Sequence, residues 1–232
     1  MHDAEGAREA ILNAGEEVFA EHGFDGARID AIAKVSGYNK SLIFQYFGDK
    51  LGLYAAVIRR SDEQMRGWQE EALTRLRADS AVDFNQIKEL LCKYVSLYFD
   101  YLVEHPRILR IYNWELAEGW QTFSKVLSER DFQDIDDFAP VFSKFQAAGL
   151  MRLDPDPLLQ YTTALFTVST YLAILPFYQI FLPKTDLDSP AMLAQGRDFL
   201  IEFITNGLLV AGGAKKQPPL KKTTFSRQPK GK

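Results

Sequence analysis

Basic and hydrogen-bonding side chains are concentrated between Arg28 and Lys50, although the whole chain carries a formal net charge of −4. Four basic residues stand against two acidic ones in this segment. Lysine and glutamine can hydrogen-bond to base edges, serine and tyrosine hydroxyls can reach phosphates, and apolar side chains can touch the methyl group of thymine. The segment therefore has the chemistry of a small nucleic-acid-binding surface on an otherwise acidic protein.

Three short helices are predicted to position that surface. Apolar residues recur at helical spacing from residue 7 to residue 22, and Gly23 is a suitable stop for this first helix. A second short helix would turn Ile29 and Ile32 toward a core. Gly37 then provides a break, because glycine readily adopts a left-handed backbone.

The third helix is predicted to run from Lys40 to Phe47, with Asn39 as its N-cap. Ile43 and Phe47 would face the core, which leaves the opposite side of the helix in solvent. A helix, a tight turn and a second helix with a free polar side are the geometry by which a helix enters the DNA major groove. A long fourth helix from Lys50 is predicted to join this unit to the rest of the chain.

The predicted DNA contacts divide into base-reading and phosphate-binding residues. Lys40 and Gln45 are predicted to read base edges, and Leu42 or Phe44 to touch a thymine methyl group. Lys50 is predicted to hold a phosphate together with the free amides at the start of the fourth helix. The full predicted set is Arg28, Tyr38, Asn39, Lys40, Ser41, Leu42, Phe44, Gln45, Tyr46 and Lys50.

The stretch IAKVSGYNKSLIFQYFGDK at residues 32–50, followed by Leu53, resembles the signature of the TetR/AcrR family of repressors. Upstream residues also fall where that family has its first helix, so the detailed resemblance covers about residues 8 to 58. These upstream residues are Arg8, Ile11, Leu12, Ala14, Phe19 and Gly23.

The resemblance implies an all-helical homodimer that binds double-stranded operator DNA and is released from it by a small molecule. In that family the last two long helices of each subunit build a four-helix dimer interface. Residues 156–182 and 190–211 occupy that place here. A two-fold symmetric protein implies a palindromic operator, whose half-sites lie about 34 to 36 Å apart.

Three positions depart from the usual pattern of the family. Phe44 replaces a tyrosine, which removes a hydroxyl donor to phosphate and leaves a ring for apolar contact. Arg28 stands where a threonine often caps the second helix, so the cap is weakened, while the guanidinium could hold a phosphate. Leu42 replaces a frequent threonine and predicts an apolar preference at one base pair.

The rest of the chain is also predicted to be helical, and no segment has a convincing strand pattern. The predicted fold is all-α with about nine helices, in which a long helix joins a three-helix helix-turn-helix domain to a helical effector-binding and dimerisation domain. The predicted domains are residues 1–57, residues 58–213 and a basic disordered tail at residues 214–232. The further predicted helices are residues 84–103, 107–117, 121–128, 134–148, 156–182 and 190–211.

The second domain is rich in aromatic side chains, with scattered hydroxyl and amide groups that could orient a ligand. Residues 157–183 contain no charged side chain, which favours a small hydrophobic effector over a strongly ionic one, since a buried charge needs a partner. The predicted ligand-binding residues are Tyr98, Asn113, Trp114, Thr163, Phe166, Thr167 and Tyr171.

Other classes of protein are less well supported. Residues 157–183 are long enough to span a bilayer, but their threonines and glutamines and Pro176 favour a soluble helix that packs on a partner subunit. No catalytic motif, metal spacing or cofactor motif is present. A single cysteine and the lack of an export leader predict the cytoplasm. A helical DNA-binding protein without an effector switch and a helical lipid-binding protein remain open alternatives.

Overall fold

The computed structural model describes residues 2–78, 83–127, 141, 143–153 and 156–210. Within these ranges the chain is helical, with one isolated antiparallel bridge between Met151 and Leu209 and no strand. The all-α prediction is confirmed. The helices are α1 (His2–Gly26), α2 (Ile29–Ser36), α3 (Lys40–Phe47), α4 (Lys50–Ala78), α5 (Phe84–Glu104), α6 (Pro106–Ala117), α7 (Phe123–Val126), α8 (Pro157–Phe181) and α9 (Pro190–Leu208).

Helix α1 is longer than the sequence pattern predicts, because it begins at His2 and reaches Gly26. Gly23 has a positive φ of 66° and a non-helical backbone, as expected of a stop, and a short second helical stretch follows this kink. A side chain at position 23 would have no room, because the ring of Trp114 from α6 fills the space into which it would project. Gly23 therefore lets α6 lie close against α1.

Helix α4 is continuous across the predicted domain boundary between residues 57 and 58. Buried residues of the first three helices, such as Ile11 and Ile43, belong to the same hydrophobic cluster as Phe99 of α5 and Ile204 of α9. The segment before the boundary and the helical bundle after it thus share one core. A second, smaller cluster joins Ile87 of α5 to Phe145 and Met151.

Helices α8 and α9 form the C-terminal part of the bundle and agree closely with the predicted ranges 156–182 and 190–211. The turn between them is organised by Gln179, whose amide donates to the carbonyls of Leu182 and Thr185. Its carbonyl accepts from the Leu187 amide at 3.3 Å. Gln179 is therefore occupied in holding the turn.

The predicted helix at residues 121–128 is shorter in the structure, where α7 has a single turn. Most of the predicted helix at residues 134–148 lies outside the described residues, although residues 143–147 are helical. The predicted tail at residues 214–232 also lies outside them.

Candidate nucleic-acid interface

Helix α3 begins and ends as the sequence predicts. The Asn39 side chain accepts a hydrogen bond from the Leu42 amide at 2.9 Å and so caps the helix. Gly48, with φ of 78°, ends it. Ile43 is fully buried in the main hydrophobic cluster, and α3 packs on α2 and α4. One side of α3 is thereby fixed against the core, and the other side is left in solvent.

Five residues on the solvent side of α3 and at its N-cap are exposed, and we call them the recognition face. Phe44 is the one large apolar side chain among them, at 44% exposure. Its neighbours offer amide, hydroxyl and ammonium groups, which is the mixture that reads base edges and thymine methyl groups. The recognition face consists of Asn39, Lys40, Ser41, Phe44 and Gln45.

Lys40 forms an ion pair with Asp30 of α2, and both side chains are more than half exposed. An exposed ion pair of this kind contributes little to stability, because water and salt screen it. The Lys40 ammonium can therefore exchange the carboxylate for a DNA group without a large penalty. Asp30 holds it at the junction of α2 and α3 until then.

The structure places three predicted contact residues deeper than expected. Tyr38, Leu42 and Tyr46 are half-buried and pack against the main hydrophobic cluster. The Tyr46 hydroxyl donates to the carbonyl of Ala4 at 3.0 Å. The physical reason is the unforeseen length of α1, whose first turns lie beside the C-terminal half of α3. Leu42 and Tyr46 are therefore less exposed than expected, and their DNA contacts stay predictions.

Lys50 does not point toward the recognition face. Its ammonium donates to the carbonyls of Phe24 at 2.8 Å and Ala27 at 3.1 Å, and lies 4.4 Å from the centre of the Phe24 ring. These carbonyls stand at the C-terminal end of α1, where helix carbonyls lack internal partners and the helix dipole favours a cation. Without DNA the Lys50 ammonium is thus directed at α1, and its phosphate contact stays a prediction.

Arg28 is exposed and stands at the N-cap of α2 without a side-chain capping hydrogen bond. This agrees with the weakened cap expected when arginine replaces threonine. Its guanidinium lies at the surface on the same helix-turn-helix unit as the recognition face, where a phosphate can reach it.

The predicted ligand-binding residues lie on three helices, α5, α6 and α8. Trp114 contacts α1, because its indole N–H donates to the Ala20 carbonyl at 3.2 Å, and its ligand contact stays a prediction. Phe166 is 41% exposed and packs on Trp120, with ring centroids 5.2 Å apart. Thr163 is exposed on α8.

The remaining predicted ligand-binding residues are half-buried in the bundle. The Thr167 hydroxyl donates to a carbonyl of its own helix, that of Thr163, at 2.7 Å. Tyr171 packs between Phe99 and Phe199. Asn113 lies on α6. Tyr98 belongs to a group of hydroxyls inside the bundle.

That group joins four helices, and we call it the tyrosine cluster. The Tyr98 hydroxyl lies 3.0 Å from the Ser169 hydroxyl of α8. Tyr101 donates to the Ser61 hydroxyl of α4 at 2.8 Å. Tyr112 of α6 also lies beside Ser61, and burial raises its pKa well above the ordinary tyrosine value. The cluster consists of Ser61, Tyr98, Tyr101, Tyr112 and Ser169.

Sequence reasoning placed only Tyr98 of this cluster in a ligand site. The spacing of the tyrosines could have indicated Tyr101 as well, since residues 94, 98 and 101 share one face of α5. No local pattern indicated Ser61, because its partner Tyr101 is 40 residues away in the chain.

Polar contacts fix the helix-turn-helix unit to α4 and α6. The Arg60 guanidinium donates to the Asn13 side chain at 2.8 Å and to a Glu16 carboxylate oxygen at 2.5 Å. The buried Glu115 carboxylate of α6 accepts from the Tyr54 hydroxyl at 2.5 Å and from the Phe123 amide at 3.0 Å. The first three turns of α4 are therefore held to α1 and contact α6 directly.

A short helix held with its polar side outward by a helix-turn-helix, and docked on a helical bundle, defines a DNA-binding regulator of the helix-turn-helix class. Comparison with known proteins supports this class for both the N-terminal and the C-terminal part of the chain. The family model described as bacterial regulatory proteins of the tetR family matches residues 11–57. The model of the tetracyclin repressor-like C-terminal domain matches residues 88–204. The protein belongs to the TetR family of transcriptional regulators.

Curated relatives and solved structures carry the same description. The HTH-type transcriptional repressor NicS of Pseudomonas putida is 31% identical over 153 residues, which cover 65% of this chain and 68% of NicS. The repressor SCO4008 of Streptomyces coelicolor is 34% identical over 116 residues, covering 50% of this chain and 53% of that one. A TetR family regulator from Marinobacter aquaeolei shares the fold with a TM-score of 0.62 at 18% identity, covering 90% of this chain and 98% of the other.

Proposed function

We propose that this regulator is a homodimeric repressor that binds a palindromic operator through the recognition face and leaves it when a small, mainly apolar effector binds in the bundle. The observation that carries this proposal is the recognition face itself. Exposing Phe44 beside four polar side chains does not stabilise the isolated chain. The floor of a major groove offers contacts to all five residues of the recognition face.

Each residue of the recognition face has a distinct role in this proposal. Gln45 reads a base edge through its amide, and Lys40 does so with its ammonium after releasing Asp30. Phe44 touches a thymine methyl group. Ser41 contacts a base or a phosphate, and Arg28 holds the DNA backbone beside them.

The dimer is proposed to form through the outer face of α8 and α9, which we define by Phe177, Phe181, Phe199 and Phe203. These side chains are 58%, 65%, 55% and 59% exposed. A phenylalanine buries roughly 150 to 250 Å², so covering this face removes on the order of 400 Å² per subunit, about half of what a stable interface needs. A second copy brings the identical face and supports a two-fold arrangement.

A membrane is the competing cover for this face. The segment Leu158–Phe181 of α8 is long and apolar enough to cross a bilayer by length and composition, and few of its residues are buried. The Tyr98–Ser169 hydrogen bond and the packing of Tyr171 on Phe99 tie one side of α8 to the bundle. That attachment favours a partner subunit over lipid, and we propose a cytoplasmic protein. Solubility of the purified chain without detergent tests this.

The effector is proposed to act through α4, which spans both the helix-turn-helix unit and the bundle. An effector that fits one arrangement of the bundle changes the separation of the two recognition faces, and operator affinity falls. A hundredfold preference for the released state is worth about 2.7 kcal/mol. Effector and operator must then weaken each other equally, and independent binding contradicts this proposal.

Selection of bound duplexes from a random pool tests the DNA-binding proposal most directly. We expect a palindrome whose half-sites are centred about one helical turn apart. The same selection with Gln45→Ala should lose preference at one base pair in each half-site, whereas Gln121→Ala, on an exposed turn of the bundle, should return the original sequence. Recovery of unrelated sequences, or of none, contradicts the proposal. The named relatives are transcriptional regulators, and we propose no enzymatic activity.

A further inference from the structure

Arg8 of α1 is a cation that stands at the C-terminal end of α3. Its guanidinium lies over the ring of Phe47, the last residue of α3, at 5.5 Å from the ring centre. The hydroxyl of the neighbouring Tyr46 donates to the carbonyl of Ala4, which is one turn before Arg8 in α1, at 3.0 Å. These two contacts place the first turns of α1, together with the Arg8 guanidinium, beside the end of α3.

The Arg8 guanidinium is restrained by a contact that uses none of its hydrogen-bond donors. Stacking on the Phe47 ring limits the freedom of a long side chain, and a guanidinium keeps five N–H donors for other partners. The side chain is 48% exposed. Within the described residues, its hydrogen-bond partner is a Glu9 carboxylate oxygen at the long distance of 3.5 Å. The guanidinium can therefore donate to an acceptor from outside the chain.

Two carboxylates of α1 stand near Arg8 and could compete with such an acceptor. Glu9 also accepts from the Arg60 guanidinium of α4 at 3.3 Å, so its charge is shared between two cations. The Arg8–Glu9 pair is about half exposed on both sides, and such a pair contributes little to stability. Glu5, three residues before Arg8, is exposed, so water and salt screen its charge. An anion can replace Glu9 at Arg8 without a large penalty.

The position of Arg8 corresponds to the edge of a major groove. Helix α3 has eight residues and is about 12 Å long, at 1.5 Å of rise per residue. The major groove of B-DNA is also about 12 Å wide, and a phosphate strand borders it on each side. When the recognition face lies on the groove floor, the end of α3 at Phe47 comes close to one of these strands. The Arg8 guanidinium then faces phosphates rather than bases.

We propose that Arg8 binds a phosphate of the operator beside the C-terminal end of α3, so that α1 adds a contact from outside the helix-turn-helix. A guanidinium suits this role, because its planar fork can donate two parallel hydrogen bonds to one phosphate. The family model of the N-terminal domain matches residues 11–57, so Arg8 precedes the matched segment. This inference rests on the proposed function, since the recognition face must enter the groove. It adds an anchor that fixes the position of the protein on DNA without reading sequence.

The salt dependence of binding to a selected operator tests the phosphate contact. Arg8→Gln should reduce the slope of log affinity against log salt by about 0.9 per subunit, or about 2 for the dimer. Arg107→Gln is the matched control, because Arg107 is 46% exposed and also contacts α1, through Glu17 at 2.6 Å. It should leave the slope unchanged. An unchanged slope for Arg8→Gln, or an equal reduction for Arg107→Gln, overturns the inference.

Two further substitutions separate the charge of Arg8 from its packing on Phe47. Arg8→Lys keeps a cation that can bind phosphate and should keep most of the slope. Arg8→Met keeps an unbranched side chain on the Phe47 ring without the charge, and should show the reduced slope of Arg8→Gln. If Arg8 only packs on Phe47, Arg8→Met retains the slope of the unaltered chain, and the inference is wrong.

Ethylation of operator phosphates locates the contact. With the unaltered chain, an ethyl group on a phosphate at the groove edge should weaken binding in each half-site. Binding by Arg8→Gln should no longer depend on one of these phosphates, whereas Arg107→Gln should keep the whole pattern. An unchanged pattern for Arg8→Gln overturns the inference. Arg8→Lys, which keeps the charge, serves the same comparison where Arg8→Gln does not fold, and should keep the interference that Arg8→Met loses.

Selection from a random pool separates this inference from the proposed function. Arg8→Gln should select the same palindrome as the unaltered chain, because a phosphate contact carries no sequence information. A different base preference would mean that Arg8 reads a base, and overturns the inference. A palindrome recovered together with an unchanged salt slope contradicts the Arg8 contact and leaves the proposed function intact. Failure of the unaltered chain to select any palindrome contradicts the proposed function itself.

Discussion

The recognition face of α3 and the outer face of α8 and α9 both expose phenylalanine, but they differ in what surrounds it. Phe44 stands among an asparagine, a lysine, a serine and a glutamine. The outer face brings aromatic rings together, since Phe199 stacks on Phe203 and Phe177 packs on Phe181. A polar partner such as DNA requires hydrogen-bonding groups around each apolar contact, whereas a protein partner covers an apolar patch as a whole.

The two surfaces also differ in how they are supported. Behind the recognition face, polar contacts such as Arg60 with Glu16 and Tyr54 with Glu115 fix the helix-turn-helix unit to the bundle. Behind the outer face, α9 lies close to α8, because Gly196 leaves room for the ring of Tyr171. DNA reading requires side chains held in a defined register. Association through the outer face requires a flat, rigid apolar surface.

The largest effect is expected from a charge placed in the outer face. Phe199→Glu combined with Phe203→Glu should convert the protein to a monomer and lower operator affinity by at least about a hundredfold, because carboxylates cannot be buried against the same face of a second copy. Sedimentation velocity gives the mass, and anisotropy gives the affinity. Glu202→Gln, on the exposed surface of the same helix, is the matched control and should remain dimeric.

A dimer that persists in the Phe199 and Phe203 double variant would move the subunit contact elsewhere. The proposal that the outer face of α8 and α9 forms the dimer would then be wrong, whereas the proposal for the recognition face would stand.

A smaller effect, on the free energy of unfolding, is expected when a buried tyrosine of the bundle is ionised at high pH. Burial raises the pKa of Tyr98 to about 12, above the ordinary value of 10.0 that applies in the unfolded chain. The neutral phenol therefore stabilises the folded state fully below pH 10, and this contribution is lost as the pH rises toward 12. The loss is on the order of 2 kcal/mol. Urea titrations at pH 9 and pH 12 measure it, and Tyr98→Phe should show a smaller difference between the two.

Removal of one base contact should have an effect of similar or smaller size. Gln45→Ala is expected to weaken operator binding by the dimer about tenfold in all and to equalise the affinities for operators that differ at one base pair. Competition with single-base operator variants measures this. Gln121→Ala makes the same chemical change away from the recognition face. A uniform loss across all operators would mean that Gln45 contacts phosphate rather than a base.

The sequence predicted those structural features that depend on residues close together in the chain. The cap at Asn39, the break at Gly37 and the buried position of Ile43 each follow from residues within one or two turns, and the structure agrees with all three. The ranges of α8 and α9 were also predictable, because long apolar runs bounded by proline mark their ends.

Side-chain direction at the edges of the helix-turn-helix unit was not predictable in this way. The length of α1 before residue 7 decides that Tyr46 contacts Ala4, and the sequence there has little apolar periodicity. Trp114 faces α1 because Gly23 leaves space for it 91 positions earlier in the chain. Such contacts depend on how helices meet, which local spacing does not specify.

Lys50 is the position where the structure changes the functional prediction, so it gives the last and smallest test. Lys50→Gln should lower the free energy of unfolding by about 1 kcal/mol, because the carbonyls of Phe24 and Ala27 lose a charged donor. The slope of log affinity against log salt should not change, since that ammonium is directed at α1. Arg28→Gln removes an exposed cation of the helix-turn-helix unit and should reduce the slope by about 1 for each phosphate that the guanidinium neutralises. A reduced slope for Lys50→Gln would show that the ammonium leaves α1 when DNA binds.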